Sequence, residues 1–328
     1  MRSRALLSAL GAVAATLLFS VGASASAPSA GVPSSAKVFR PVGFHSTGGA
    51  AGVVPNASAA NLQYMGGTVF TSPRAFVIFW GPQWNTGWTT GGFTSAQAQT
   101  YITSFFGGIG GNSWLNSTKQ YCEGIATGSQ FCAASATHVT NPTGQFGGSW
   151  VDTTSVPTHP TDAQVQAAAQ RGASHFGYNA NALYLVFTPH GHSISGFGTQ
   201  FCAYHDNTSF SGKPLAYANM PYAPDAGTSC GRNFVNASNS SFGNGFFDGI
   251  SIVSGHEYAE AITDAFPSNA IGWLDTSGEE NGDKCAWSRG PGPQSAARNI
   301  TVGSHSFAVQ SLWSNTANSN TGGCVVTS

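Results

Sequence analysis

Short apolar runs separated by helix-like segments make up most of the chain after residue 60. The runs "RAFVIFWG" (74–81) and "ALYLVFTP" (182–189) are rich in β-branched and aromatic residues and end at glycine or proline, so they predict buried strands. Shorter strands are predicted at 201–206 and 214–222, and the pattern after residue 285 is also β-like.

Three segments with a helical pattern lie between these strands: 94–106, 161–177 and 248–266. Thr94 or Ser95 is suited to cap the first helix, and Thr161 with Gln164 three residues later makes a capping-box pattern at the second. The third segment is the most helix-like, with Asp248 as its expected cap. Because strands and helices are interspersed without strict alternation, we expect an α+β fold with helices packed on a mixed sheet.

Composition divides the chain into three parts. A basic start, an apolar run and small residues up to Ala25 predict a signal peptide over 1–25, and hence a secreted, extracellular protein. Residues 26–60 are rich in Ala, Ser, Gly and Pro and are interpreted as a linker or propeptide. Residues 61–328 are long enough for a single exported domain, and no stretch there approaches the roughly 20 apolar residues of a membrane span.

Six cysteines fit an exported protein, because an even number in that setting predicts three disulfides. Sequence alone leaves about 15 pairings open. The simplest interpretation pairs neighbours along the chain: Cys122 with Cys132, Cys202 with Cys230, and Cys285 with Cys324. A four-cysteine zinc site is disfavoured because the chain has no C-x-x-C.

Charge is scarce everywhere except near one helix. Only 8% of residues are charged, the net charge is −1 and there are four lysines, which disfavours nucleic acid as a partner. Yet His256 and seven acidic residues fall within 256–283. This concentration predicts either a metal site or the solvated polar face of an ordinary helix.

The stretch "HEYAE" has the spacing of a metal-binding helix. His256 and Glu260 lie one turn apart on the same face and can share one ion. Glu257 stands where the glutamate of H-E-x-x-H metallopeptidases takes a proton from water. Glu260 replaces the second histidine of that motif, a permitted exchange because carboxylate oxygen and imidazole nitrogen bind zinc at similar distances.

A catalytic zinc centre needs a third protein ligand, which leaves one position for water. The acidic loop after the helix offers Glu280 first and Asp283 second. Asp264 is the third choice because a straight helix carries it away from the ion. One Zn²⁺ is the expected cofactor, although a carboxylate-rich site also accepts manganese or calcium.

At these residues the sequence resembles the phosphate-induced, EXORDIUM-like family of exported proteins and its bacterial relatives. The family's H-E-L-A-E helix corresponds to 256–260, its tryptophan to Trp273, its E-I-G-D-x-C segment to 280–285, and its C-x-[FY]-H segment to 202–205. Asn281 departs from the family's aliphatic residue. The resemblance implies this shared polar set: His205, His256, Glu257, Glu260, Glu280 and Asp283.

The resemblance also bears on two individual residues. Plant members have Asn where this chain has Asp264, which argues against Asp264 as a required ligand. His205 is implied either as a further metal ligand or as a donor to the oxyanion that forms on a carbonyl; the competing role is a structural histidine bonded to backbone. The family's plant members are associated with cell-wall growth responses, and its H-E-x-x-E helix makes the bacterial relatives look like zinc metallopeptidases.

Other sites compete less well. His190 and His192 form an H-x-H pair in a Gly/Ser-rich loop, but two ligands do not complete a metal site. The same loop lacks the last glycine of the G-x-S-x-G serine-hydrolase elbow, because Ser195 stands there. A carbohydrate-binding surface built from Trp80, Trp84 and Trp88 has no recognised motif behind it.

The leading hypothesis is a secreted, monomeric, zinc-dependent peptidase that acts on a protein or peptide substrate. His256, Glu260 and either Glu280 or Asp283 would hold the ion, with Glu257 as general base and His205 as the assisting residue. The alternative is a non-catalytic, cell-wall-associated EXORDIUM-like protein with a structural ion site.

Overall fold

The computed structural model of the chain describes residues 37–39, 60–289 and 296–327. The predicted signal peptide (1–25) lies outside the described residues, as does the predicted linker or propeptide (26–60) apart from 37–39 and residue 60. None of the helices in the described ranges has the length and apolar content that crossing a membrane requires.

The secondary-structure elements follow one another along the chain without strict alternation. The strands are β1 (Lys37–Phe39), β2 (Gln63–Tyr64), β3 (Arg74–Trp80), β4 (Thr89–Thr90), β5 (Phe93–Thr94), β6 (Cys122–Glu123), β7 (Thr137–His138), β8 (Phe146–Asp152), β9 (Ala182–Phe187), β10 (Ala203–Phe210), β11 (Lys213–Met220), β12 (Trp273–Leu274), β13 (Arg298–Val302), β14 (His305–Val309), β15 (Leu312–Ser314) and β16 (Gly323–Val325). The α-helices are α1 (Gln83–Thr86), α2 (Ser95–Ile109), α3 (Asp162–Phe176), α4 (Asp248–Thr263) and α5 (Ala317–Asn320), and 3₁₀ helices cover Ser113–Gln120, Ala223–Cys230 and Asp283–Cys285.

Within the described residues, the largest sheet has six strands in the order β1-β10-β11-β9-β3-β8. Strands β11, β9, β3 and β8 run parallel to one another, whereas β10 is antiparallel to β11 and β1 is antiparallel to β10. This mixed sheet with helices against it confirms the predicted α+β class. The strand β1 comes from the segment interpreted as linker or propeptide, so part of that segment belongs to the sheet.

The central strands are buried on both faces, as their continuous apolar runs predict. In β3, Val77 and Phe79 pack into the larger core under α2 and α4, whereas Ile78 and Trp80 pack into a second core under α3. Alternate residues of β9 divide in the same way. The sheet therefore separates two apolar layers, and α4 lies in the larger one.

Most predicted helix starts are confirmed, and one is wrong. Thr94 caps α2, since its hydroxyl accepts a hydrogen bond from Gln97 N and its own N–H donates to Gln97 Oε1. Asp248 is not the cap of α4: Phe247 precedes the helix, and Asp248 is its first residue. The Asp248 carboxylate instead accepts the backbone N–H groups of Val235, Asn236 and Gly245, so it holds the preceding loop.

The cysteines form three disulfides in the neighbour pairing: Cys122–Cys132, Cys202–Cys230 and Cys285–Cys324. This confirms the predicted disulfides and suggests an oxidising compartment, in agreement with the predicted secretion. The second bridge lies immediately before β10, and the third anchors the loop after α4.

Candidate metal centre

The helix α4 is buried along its whole length, from Asp248 to Thr263. Its apolar residues cover all sides of the helix, which is typical of a helix in a protein core rather than at the surface. Close packing needs a small residue at Gly255, where an added Cβ would lie 3.0 Å from Trp114 and 3.2 Å from Phe105. The "HEYAE" stretch is therefore not a solvated polar face, because its charged side chains lie inside the protein.

His256 is oriented by a partner that is far away in sequence. Its Nδ1 lies 3.1 Å from Gln310 Oε1, while Gln310 Nε2 donates to the carbonyl oxygens of Gly282 and Ser311. Since the amide group of Gln310 is fixed by these two bonds, its oxygen faces His256 and accepts the Nδ1–H. The Nε2 lone pair of His256 is then directed at Glu260 Oε1, 3.0 Å away. This is the tautomer that a metal ligand needs.

The loop after α4 brings two further carboxylates to this place. Glu280 is fully buried, and neither of its carboxylate oxygens has a hydrogen-bond partner. Asp283 lies at the rim, with its side chain 20% exposed and its Oδ1 3.7 Å from His256 Nε2. Its backbone N–H donates to Glu260 Oε1. Gly282 permits this approach, because a Cβ there would lie 2.6 Å from His256 Nδ1 and 2.8 Å from Glu260 Oε1.

His205 reaches the same place from β10. Its Nδ1 lies 3.1 Å from Glu257 Oε2 and 3.7 Å from Glu260 Oε2, and its Nε2 lies 3.8 Å from Glu280 Oε1. If Nδ1–H donates to Glu257, the lone pair of Nε2 is directed toward Glu280. Two acceptors then face each other in a fully buried space, an arrangement that calls for a cation between them.

Two groups of potential ligand atoms therefore overlap at Glu260. His205, Glu260 and Glu280 form one group, and His256, Glu257 and Glu260 form the other; within each, the atoms lie within 4.8 Å of one another. Five of the six residues singled out from the sequence thus meet in the core, and Asp283 lies at the edge of the cluster. Asp264 belongs to neither group, and its Oδ1 instead accepts the N–H of Gly272 at 2.8 Å.

Burial dominates the electrostatics of the cluster. It lowers the pKa of His205 to about 3, assisted by the charges of Lys37 and His256, and it lowers the pKa of His256 to about 4. Both imidazoles are therefore neutral at pH 7, as metal ligation requires. Burial, followed by repulsion between neighbouring carboxylates, raises the pKa of Glu257 and Glu280 well above the usual range.

The donor atoms fit a divalent cation. Six buried side-chain atoms in the cluster have no hydrogen-bond partner: His205 Nε2, His256 Nε2, Glu257 Oε1, Glu260 Oε2, Glu280 Oε1 and Glu280 Oε2. An unpaired buried carboxylate is costly, and a metal ion would satisfy most of these atoms together. A mixed imidazole and carboxylate set suits zinc, and also manganese.

Other parts of the cluster escaped sequence reasoning. Gln310 orients His256, Phe39 stacks on the His256 ring and Lys37 contributes a positive charge nearby. Of the three, Gln310 carries the clearest signal in the sequence. It is the one polar residue of the run "FAVQ", and a glutamine buried in such a run needs hydrogen-bond partners.

Neither the histidine pair nor the tryptophan surface considered as alternative sites has the geometry of a binding site. His190 pairs with Asp225 at the surface, and His192 bonds the Pro157 carbonyl; neither belongs to a group of potential metal ligands among the described residues. Trp80 and Trp84 are each only 2% exposed, so they cannot offer stacking faces to a carbohydrate.

No family model, curated protein or solved structure matches this chain. The likeness to the EXORDIUM-like family therefore stays a prediction.

Proposed function

We propose that this protein is a secreted metal-dependent hydrolase, with zinc as the expected ion and peptide bonds as the expected substrate. The observation that supports it most is the set of unpartnered, fully buried nitrogen and oxygen atoms that converge on Glu260 from α4, β10 and the 280–283 loop. A polar face without a ligand would carry these atoms in solvent or pair them with hydrogen-bond donors.

His256, Glu260, Glu280 and His205 supply the candidate ligand atoms, and three of them would hold the ion, which leaves the position for water that a catalytic zinc centre needs. His256 and Glu260 offer adjacent atoms from successive turns of α4, and Glu280 and His205 offer atoms on the other side of Glu260. We assign His205 to ligation rather than to the oxyanion because its Nδ1 is engaged by Glu257 and its Nε2 faces Glu280. Asp283, at the partly exposed rim, holds Glu260 through its backbone N–H.

Glu257 is the proposed general base. One carboxylate oxygen bonds His205, which fixes the orientation of the group, and the other oxygen has no partner. The free oxygen would take a proton from the attacking water and deliver it to the leaving amine. Burial raises the pKa of Glu257 above its ordinary value, which makes its carboxylate a stronger base toward that proton. The bound ion would polarise the scissile carbonyl and lower the pKa of the water.

A structural ion site in a non-catalytic protein is the second candidate. It is favoured by one observation: His205, His256, Glu257 and Glu280 are all fully buried, which gives a substrate no direct access in this arrangement. A site closed on all sides stabilises a fold but does not activate water.

The variant Glu257→Gln separates the two candidates. A catalytic site predicts that this variant retains its metal and loses at least about 100-fold in the hydrolysis of a casein or peptide-library substrate, the lower range for loss of a general base. The matched control, His190→Ala, should retain both metal and activity. Full activity of Glu257→Gln would refute the mechanism, and wild-type protein that binds zinc but cleaves nothing would favour the structural site.

A further inference from the structure

The strand β1 lies directly against the strand that carries His205. β1 pairs antiparallel with β10, and its register places Lys37 opposite His205 and Phe39 opposite Ala203. Directly opposite residues of two paired strands project to the same face of the sheet. Lys37 and Phe39 therefore project to the face of His205, toward α4.

Phe39 covers the metal cluster. Its side chain is fully buried, and its ring stacks on the ring of His256 at 3.8 Å between centroids, with Trp287 stacked on it at 4.8 Å. The backbone is also held, since the Phe39 carbonyl accepts the N–H of Cys202 at 2.6 Å. An aromatic side chain from outside the 61–328 segment thus closes the site.

Lys37 supplies positive charge to the same cluster. Burial alone would lower the pKa of its ammonium, but the carboxylates of Glu280, Asp264, Asp283 and Glu260 together raise it above its ordinary value. The lysine is therefore charged, and it lies near enough to these acids to offset part of their repulsion. An extended peptide at a sheet edge gains affinity from backbone hydrogen bonds and specificity from contacts of its alternate side chains. The strand β1 has both, since it pairs with β10 and directs Lys37 and Phe39 toward the cluster.

We propose that the outer edge of β10 is a binding site for an extended peptide and that β1 is the chain's own occupant of this site, an internal inhibitor that fills it before a substrate can. This inference rests on the proposed function and names its substrate class: peptides in strand conformation with a basic residue opposite His205 and an aromatic residue two positions later. Because β1 is tethered, its effective concentration is on the order of millimolar, so it excludes weak competitors.

The test uses the full chain and a labelled synthetic peptide, Ala-Lys-Val-Phe-Arg-Pro, which copies residues 36–41. Binding is followed by fluorescence anisotropy in wild type, in the double variant Lys37→Glu/Phe39→Asp and in the control Lys213→Glu, an exposed lysine on the adjacent strand β11. The Glu257→Gln background prevents turnover of the peptide during the titration.

We expect the double variant to bind the peptide at least about tenfold more tightly than wild type, because its resident strand no longer competes. The control should bind like wild type, and a peptide with its Lys and Phe exchanged for Glu and Asp should not bind. Equal affinity in wild type and the double variant, or no binding by a folded double variant, would overturn the proposal. If circular dichroism shows the double variant to be unfolded, the milder variant Phe39→Ala replaces it in the same titration. Tighter peptide binding than in wild type is expected, and equal affinity would overturn the proposal.

The outcomes also separate this inference from the proposed function. A folded, zinc-loaded double variant with Glu257 intact that binds the peptide, but cleaves neither casein nor a peptide library, would sustain the binding edge and refute the peptidase. Wild type and double variant that cleave casein at the same rate would refute the internal inhibitor and leave the peptidase standing.

Discussion

Replacing Asp264 with Asn tests the electrostatic description of the cluster without removing a proposed ligand. Asp264 directly follows α4 as its C-cap residue and is fully buried; the Oδ1 atom accepts the N–H of Gly272, and the Oδ2 atom has no hydrogen-bond partner. An asparagine of the same shape keeps the Oδ1 acceptor but carries no charge. The variant should therefore be more stable than wild type at neutral pH.

The magnitude follows from the pKa of Asp264, which burial raises from its ordinary value of 3.8 to about 6. That difference means that Asp264 lowers the free energy of unfolding by about 3 kcal/mol once it is ionised in both the folded and the unfolded state. Because the pKa of Asp264 is raised in the folded state, the free energy of unfolding is not reduced below about pH 3.8, and the reduction develops as the pH rises through about 6. Asp264→Asn should thus gain up to about 3 kcal/mol at pH 8 and almost nothing near pH 4.

The assay is urea unfolding from pH 4 to pH 8, with chelator present so that metal occupancy does not vary with pH. The control is Asp225→Asn, which removes the surface pair with His190 and should change the free energy of unfolding by no more than about 1 kcal/mol. A destabilised Asp264→Asn variant, or a gain that does not depend on pH, would refute the reasoning.

Three further predictions concern the surroundings of the cluster. Gln310→Leu removes the acceptor that orients His256 and should weaken zinc binding about 10- to 100-fold by calorimetry; unchanged affinity would exclude the orienting role. The pair Cys285→Ser and Cys324→Ser opens a bridge between residues 39 apart and should lower the free energy of unfolding by about 4 kcal/mol in thermal or denaturant titrations, so a loss below 1 kcal/mol would contradict it. His190→Ala should leave zinc affinity unchanged, and a tenfold loss of zinc affinity would indicate that the metal binds near His190 instead.

Much of the fold was predictable because the signals are local. The continuous apolar runs of β3 and β9 identify strands buried on both faces, and the capping box at Thr94 marks the start of α2. The prediction for Asp248 was wrong because an acidic residue before a helical pattern is typical of an N-cap. Its carboxylate instead accepts hydrogen bonds from the preceding loop, a contact that the local sequence pattern does not indicate.

The candidate site was predictable only where one element carries it. His256 and Glu260 follow from helical spacing, but Gln310 is 54 residues from its partner His256, and no periodicity links the two. Phe39 was hidden for a different reason: β1 has three residues within a segment rich in small residues, and its place beside β10 depends on long-range pairing. Tertiary contacts of this kind leave no trace in local composition.

The most direct test of the central claim is the metal content of the purified protein, measured per chain by elemental mass spectrometry in wild type and in Glu260→Ala. We expect about one zinc per chain in wild type, because the buried imidazole and carboxylate atoms converge on Glu260, and a clear loss of zinc in the variant. Folded protein that was never exposed to chelator and contains no divalent metal would rule out the metal centre, and equal metal in both proteins would place the ion elsewhere.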